Sequence, residues 1–257
     1  MLFASLAGYY YAKASSPDHA STFVIYFPGG GQCYDKNTCT TRSKYHSSTV
    51  GASSMIEVEG LLDSDPYVTP LWGANKAYLY YCSSDTYMGN VGASEVTEIQ
   101  FNPAVYVHHV LLIAQDTWNL HFRGQVLVES FIAALLRDHN LHTATKIYRC
   151  GQSAGARGMM TWIDKLVSSY LVRLSIYEHM SHETHACCCI QCIIDHIIQP
   201  PEVEVIGFLD SPYFLDVKPY TSSFPGFPYT EQQKYLLFNT TGELPEMPYN
   251  QLTYVKS

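Results

Sequence analysis

The chain has no basic tract: its 15 Lys and Arg are outnumbered by 23 Asp and Glu, for a formal net charge of −8. Nucleic-acid backbones are bound by clustered cations, so nucleic acid is excluded as an expected partner. Long apolar runs are missing as well. The apolar stretch from Val105 to Ala114 is interrupted by histidines and falls short of the roughly 20 residues that a membrane span requires. The glycine run Gly29-Gly30-Gly31 lacks a following Gly-Lys-Ser/Thr, which excludes a phosphate-cradling P-loop. Met1 to Ala7 lacks the basic start of a secretory leader. What is present is 257 residues, 47% apolar and 15% charged, enough to bury the core of a single domain over 1–257.

Gly151-Gln152-Ser153-Ala154-Gly155 places a serine in a GxSxG frame. Before it, Lys146 to Cys150 alternates loosely as a short strand; after it, Met159, Trp162, Ile163, Leu166 and Val167 recur at helical spacing. A strand that reverses sharply into a helix strains the serine backbone and leaves no room for side chains two positions away. Glycines therefore flank Ser153, and its Oγ projects from the turn. The following helix N-terminus adds free N–H groups and partial positive charge, which suit a developing oxyanion.

Ser21 to Phe27 is a β-branched and aromatic run typical of a strand, and it ends in Pro28-Gly29-Gly30-Gly31-Gln32-Cys33. Glycines at a strand end let backbone N–H groups approach a ligand closely. With the residue after the serine they make an oxyanion site, here Gly30, Gly31 and Ala154. Further along, His121 to Asn140 is an amphipathic helix with Val126, Val128, Phe131, Ile132, Leu135 and Leu136 on its apolar face, and Val203 to Leu209 is a buried strand. Alternating helices and strands predict an α/β fold with a mostly parallel sheet and helices on both faces. Past Phe224 the sequence shows no period and is expected to be loop or tail.

Seven blocks, taken in order, resemble the pectin acetylesterase/Notum family of serine carboxylesterases. They are Gly8 to Tyr11, the strand into Gly29 to Cys33, Cys33 with Cys39, Tyr81-Cys82-Ser83-Ser84-Asp85, Phe122-Arg123-Gly124, Gly151 to Gly158, and Phe208 to Ser211 with Phe214 to Asp216. The resemblance implies a secreted enzyme with an α/β-hydrolase fold and no cofactor or metal. It makes Ser153 the nucleophile and Gly30, Gly31 and Ala154 the oxyanion donors, with Gln32, Asp85, Asp210 and Ser211 beside the pocket. Two positions depart from the pattern. Gln32 replaces an aromatic residue at the pocket lip, and Ala156 replaces a glycine.

Cys33 and Cys39 bracket a short loop in the manner of a local disulfide, which suits an oxidising compartment, as does the acceptor sequon Asn239-Thr240-Thr241. The family resemblance implies a partner for Cys82 just before Gly8; Met1 stands at about that position, so Cys82 is expected to be unpaired. Segments 96–115 and 172–199 break the family spacing. Each begins with valine, whose codons start with GT, and ends with glutamine, which CAG encodes, so both are read as translated intron sequence. The second holds His179, His182, His185, Cys187, Cys188, Cys189, Cys192 and His196. Such residues bind zinc, but no paired C-x2-C and H-x3-H frame is present, so no metal is expected.

In α/β hydrolases the acid follows the serine and the histidine follows the acid. No histidine follows His196, so Asp210 and Asp216 have no downstream base, and the domain is expected to be incomplete at its C-terminus. The resulting reading is a serine carboxylesterase, an O-deacylase acting on acyl esters of a carbohydrate or a lipidated protein, whose turnover is weak in the chain as written. The alternatives are a catalytically dead ligand-binding homologue or a gene-model fragment, and a metal-binding module built on the Cys/His segment.

Overall fold

The computed structural model describes residues 8–91, 118–162, 203–211 and 225–238. Segments 96–115 and 172–199, Asp216 and the Asn239 sequon lie outside these residues. Around the centre of the sheet are β2, Thr22–Phe27, and its parallel neighbours β3, Asn75–Leu79, and β4, Lys146–Gln152. β1, Tyr9–Ala12, pairs antiparallel with β3, and β5, Glu204–Asp210, pairs parallel with β4. The resulting order is β1-β3-β2-β4-β5, a mostly parallel sheet as expected.

Alternation along β2 sends Phe23, Ile25 and Phe27 to one face and Val24 to the other, all essentially inaccessible to solvent. The first face packs against α2, Gly124–Asp138, through Val128, Phe131, Ile132 and Leu135, and against Met159 and Trp162 of α3, which runs over 154–162. Each such large apolar side chain contributes roughly 1.5–3 kcal/mol on burial. The other face is covered by Leu62, Leu71 and Ala74, with Tyr26, Tyr78 and Tyr148 half-buried beside them.

Several elements differ from the sequence reading. β3 was not legible, because its first residues are Asn75 and Lys76. Both are buried and fully used: the Asn75 side chain accepts from Tyr11 and donates to the carbonyls of Ala20 and Thr22, while Lys76 Nζ donates to the carbonyls of Asp63 and Trp72 and to Ser64 Oγ. Val126, read as part of the apolar face of α2, is exposed. β5, read as buried, has Phe208 half-exposed, because it is the terminal strand among the described residues. Phe227–Phe238, read as loop or tail, is a helix, α4. Its buried face carries Thr230 and Lys234 alongside Leu237 and Phe238, so an apolar count finds no stripe.

Candidate active site

Ser153 sits between the last residue of β4 and the first turn of α3 with φ of 52°, a left-handed conformation that is costly for a residue bearing a Cβ. The strain persists because the neighbourhood enforces it. The Ser153 N–H donates to the Asp210 carbonyl at 2.8 Å, and the Ser153 carbonyl accepts from Arg157 N–H at 3.1 Å in the opening turn of α3. A Cβ on Gly151 would lie 2.6 Å from the Gly155 carbonyl oxygen and 2.8 Å from Ala156 Cα. A Cβ on Gly155 would overlap the Phe27 carbonyl and lie 2.5 Å from that of Pro28. These two contacts are the physical reason for glycine on each side of the serine. They also seat the elbow against the end of β2.

β2 delivers the glycine loop to the same place. A Cβ on Gly29 would lie 3.0 Å from Ser153 Cβ and 2.9 Å from the Gln152 carbonyl oxygen, so loop and elbow are in contact. Gly30 and Gly31 have φ of 142° and 68°, in the region that favours glycine. Ala154 lies in the first turn of α3, where backbone N–H groups have no intrahelical acceptor. The fold therefore brings Ser153, Gly30, Gly31 and Ala154 into one neighbourhood at the C-terminal ends of β2 and β4.

The other expected site residues divide into three situations. Asp210 and Ser211 lie beside the elbow, both exposed, with Ser211 Oγ donating to Asp210 Oδ1 at 2.9 Å. Gln32 faces α4 and accepts from Lys234 Nζ at 2.6 Å, which ties that helix to the glycine loop. Asp85 is fully buried; its carboxylate accepts from Ser83 Oγ at 2.5 Å, Tyr87 N–H at 3.0 Å and Gly124 N–H at 2.7 Å. Burial pushes its pKa up, against those three hydrogen bonds. Asp85 thus joins the Tyr81–Asp85 block to the start of α2. Gly124 is required there, because a Cβ would collide with the carboxylate and lie 2.5 Å from Tyr87 Cα.

Cys33 and Cys39 form the expected disulfide, with Cα atoms 4.9 Å apart, anchoring α1, Lys36–Thr40, to the end of the glycine loop. Cys82 is a free, buried thiol whose pKa burial pushes up to about 11.

The sequence reading overlooked His46. Its Nε2 is close enough to Gly30 to obstruct any Cβ there, and its Nδ1 lies 3.0 Å from Ser43 Oγ. It occupies the short helical turn Lys44–His46, in a segment without hydrophobic periodicity, so no sequence signal marks it. Burial, and then the Arg42 guanidinium, hold its imidazole below the ordinary value of 6.5. The folded chain therefore binds this proton more weakly than the unfolded one. Stability from neutral His46 is complete above pH 6.5 and is lost as pH falls through the depressed folded value. The melting-temperature advantage of wild type over His46→Gln should accordingly shrink between pH 7 and pH 5. An advantage that stays constant across that window would show that His46 is not held neutral by the fold.

Among the described residues, no helix is long and apolar enough to cross a membrane. The profile of the pectinacetylesterase family matches residues 4–179. Curated relatives include palmitoleoyl-protein carboxylesterases: NOTUM of Homo sapiens, 24% identical over 84% of this chain and 34% of its own length, and notum1a of Danio rerio, 26% identical over 83% and 34%. The chain thus spans about a third of the length of the curated relatives it matches. Among solved structures, the Wnt deacylase Notum from Drosophila aligns with a TM-score of 0.67 at 24% identity, covering 94% of this chain and 57% of that one. That likeness identifies the sheet and its helices as an α/β-hydrolase-like fold. With the elbow, the glycine loop and the family profile agreeing over two-thirds of its residues, the chain belongs to the pectinacetylesterase family.

Proposed function

We propose that the chain is the nucleophile-bearing part of a serine carboxylesterase that removes an ester-linked acyl group. The observation that carries this reading is the contact between Gly29 and Ser153, which sets a strained serine against a loop of glycine N–H groups. Ser153 Oγ attacks the ester carbonyl, its proton passing to a base that the family resemblance makes a histidine. The carbonyl oxygen becomes an oxyanion, stabilised by N–H groups of Gly30, Gly31 and Ala154. Collapse expels the alcohol, and water then releases the acyl group from the serine. No cofactor takes part in these steps.

The substrates that fit are an acylated carbohydrate, in keeping with the family's name, or a lipidated protein, in keeping with the names of the curated relatives. The buried Cys33–Cys39 disulfide supports action outside the cytosol. The test is hydrolysis of nitrophenyl esters of increasing chain length by the purified chain, beside reaction with a fluorophosphonate. Preference for acetyl points to a carbohydrate ester and preference for long chains to a lipidated protein. Absence of both turnover and a phosphonate adduct would leave only a ligand-binding role.

A further inference from the structure

The glycine loop is restrained at three carbonyls by side chains from elsewhere in the fold. Tyr87 Oη donates to the Pro28 carbonyl at 3.1 Å, Tyr81 Oη donates to that of Gly31 at 2.9 Å, and Arg42 Nη2 donates to that of Gly30. The donors are themselves held. Arg42 Nε donates to Ser84 Oγ at 2.8 Å, Ser84 Oγ donates to the His46 carbonyl at 2.6 Å, and Tyr81 Oη accepts from Thr86 N–H at 3.0 Å. Cys33 N–H, at the far end of the loop, donates to the Ser84 carbonyl at 3.1 Å. Tyr81, Ser84, Thr86 and Tyr87 are all fully buried, while Arg42 and Gly30 are half-buried and Gly31 is exposed, so the clamp reaches from the core to the rim of the loop.

Peptide planarity gives this arrangement a consequence for chemistry. In a trans peptide the C=O of one residue and the N–H of the next lie in one plane and point in opposite directions. No cis bond occurs among the described residues. Holding the Gly30 carbonyl therefore aims the Gly31 N–H away from Arg42, and holding the Gly31 carbonyl aims the Gln32 N–H away from Tyr81. Glycines with φ of 142° and 68° would otherwise turn these peptides freely, and an oxyanion donor that reorients during reaction loses most of its value.

We infer that Arg42 and Tyr81 are positioning residues: Arg42 clamps the 30–31 peptide and aims the Gly31 N–H for oxyanion binding, and Tyr81 anchors the adjoining 31–32 peptide so that the loop keeps that aim, an inference that rests on the esterase reading. This gives the Tyr81–Asp85 block a divided task. Tyr81 and Ser84 set the glycine loop, while Asp85 sets the start of α2.

The test uses the 257-residue chain with Arg42→Ala and Tyr81→Phe, the second removing one oxygen and keeping the ring. With nitrophenyl acetate, kcat should fall by about 10-fold to 100-fold in each, with KM within about threefold of wild type, as expected when donors are misaimed by about an ångström. Millimolar guanidinium should restore part of the loss in Arg42→Ala and none in Ser153→Ala. In parallel, ¹⁵N relaxation should report Gly31 and Gln32 amides as rigid in wild type, with order parameters near 0.85, and as loosened in both variants. Turnover within twofold of wild type in both variants, or unchanged order parameters at both amides, overturns the clamp. If wild type shows neither Ser153-dependent turnover nor a fluorophosphonate adduct on Ser153, the esterase reading falls by itself, and the relaxation data still decide whether Arg42 and Tyr81 hold the loop.

Discussion

Ser153→Ala is expected to abolish both ester hydrolysis and fluorophosphonate labelling while leaving unfolding stability within about 0.5 kcal/mol of wild type. The side chain is only half-buried, and alanine meets the same left-handed backbone that serine already tolerates at φ of 52°. A serine attacking with the help of a base loses on the order of 10⁴ to 10⁶ in turnover when the hydroxyl is removed. A serine without a base begins from the low rate that oxyanion donors alone sustain, so the phosphonate adduct, located by mass spectrometry, is the more telling readout. An adduct on any other residue, or one persisting in Ser153→Ala, would remove Ser153 from the mechanism. His46, whose Nε2 abuts Gly30, joins His179, His182, His185 and His196 as a histidine to mutate if wild-type turnover is high.

Gly155→Ala should have the largest effect on stability. The added methyl would overlap the Phe27 carbonyl and lie 2.5 Å from the Pro28 carbonyl oxygen, and both belong to backbone at the end of β2. β2 is paired to β3 on one side and β4 on the other, so it cannot yield without breaking ladder hydrogen bonds. Relief must come from α3 lifting off the sheet, which would uncover Met159 and Trp162 and turn Ser153 away from Gly29. Overpacking of this kind costs about 3 kcal/mol or more, read as a lower midpoint in urea unfolding, and Ser153 labelling should fail in the same protein. An unchanged midpoint would mean that α3 is not seated on β2 as described.

Legibility followed the kind of residue each element buries. β2 and β4 were readable because one is an unbroken apolar run and the other leads into a glycine-framed serine. α2 was readable because Val128, Phe131, Ile132 and Leu135 recur on one face. β3 and α4 were not, since Asn75, Lys76, Thr230 and Lys234 occupy buried positions. A buried lysine is tolerable only when its ammonium is hydrogen-bonded, as Lys76 is by two carbonyls and a hydroxyl. Those acceptors come from the loop at residues 63–72, so no local pattern announces them.

The sequence by itself determined the local chemistry: a strained serine framed by glycines, a glycine loop at a strand end, and two cysteines close enough along the chain to bridge. Backbone sterics and short-range spacing control each of these, and both are written in neighbouring residues. The tertiary structure alone decided which groups the loop and elbow meet. Parallel pairing of β2 and β4 brings Gly29 to Ser153 across more than 120 positions, and burial gives Asp85 to the α2 N-terminus, Gln32 to Lys234, and the glycine-loop carbonyls to Arg42 and Tyr81. Such pairings arise because buried polar groups must find partners wherever the packed chain supplies them, and sequence distance places no limit on that search.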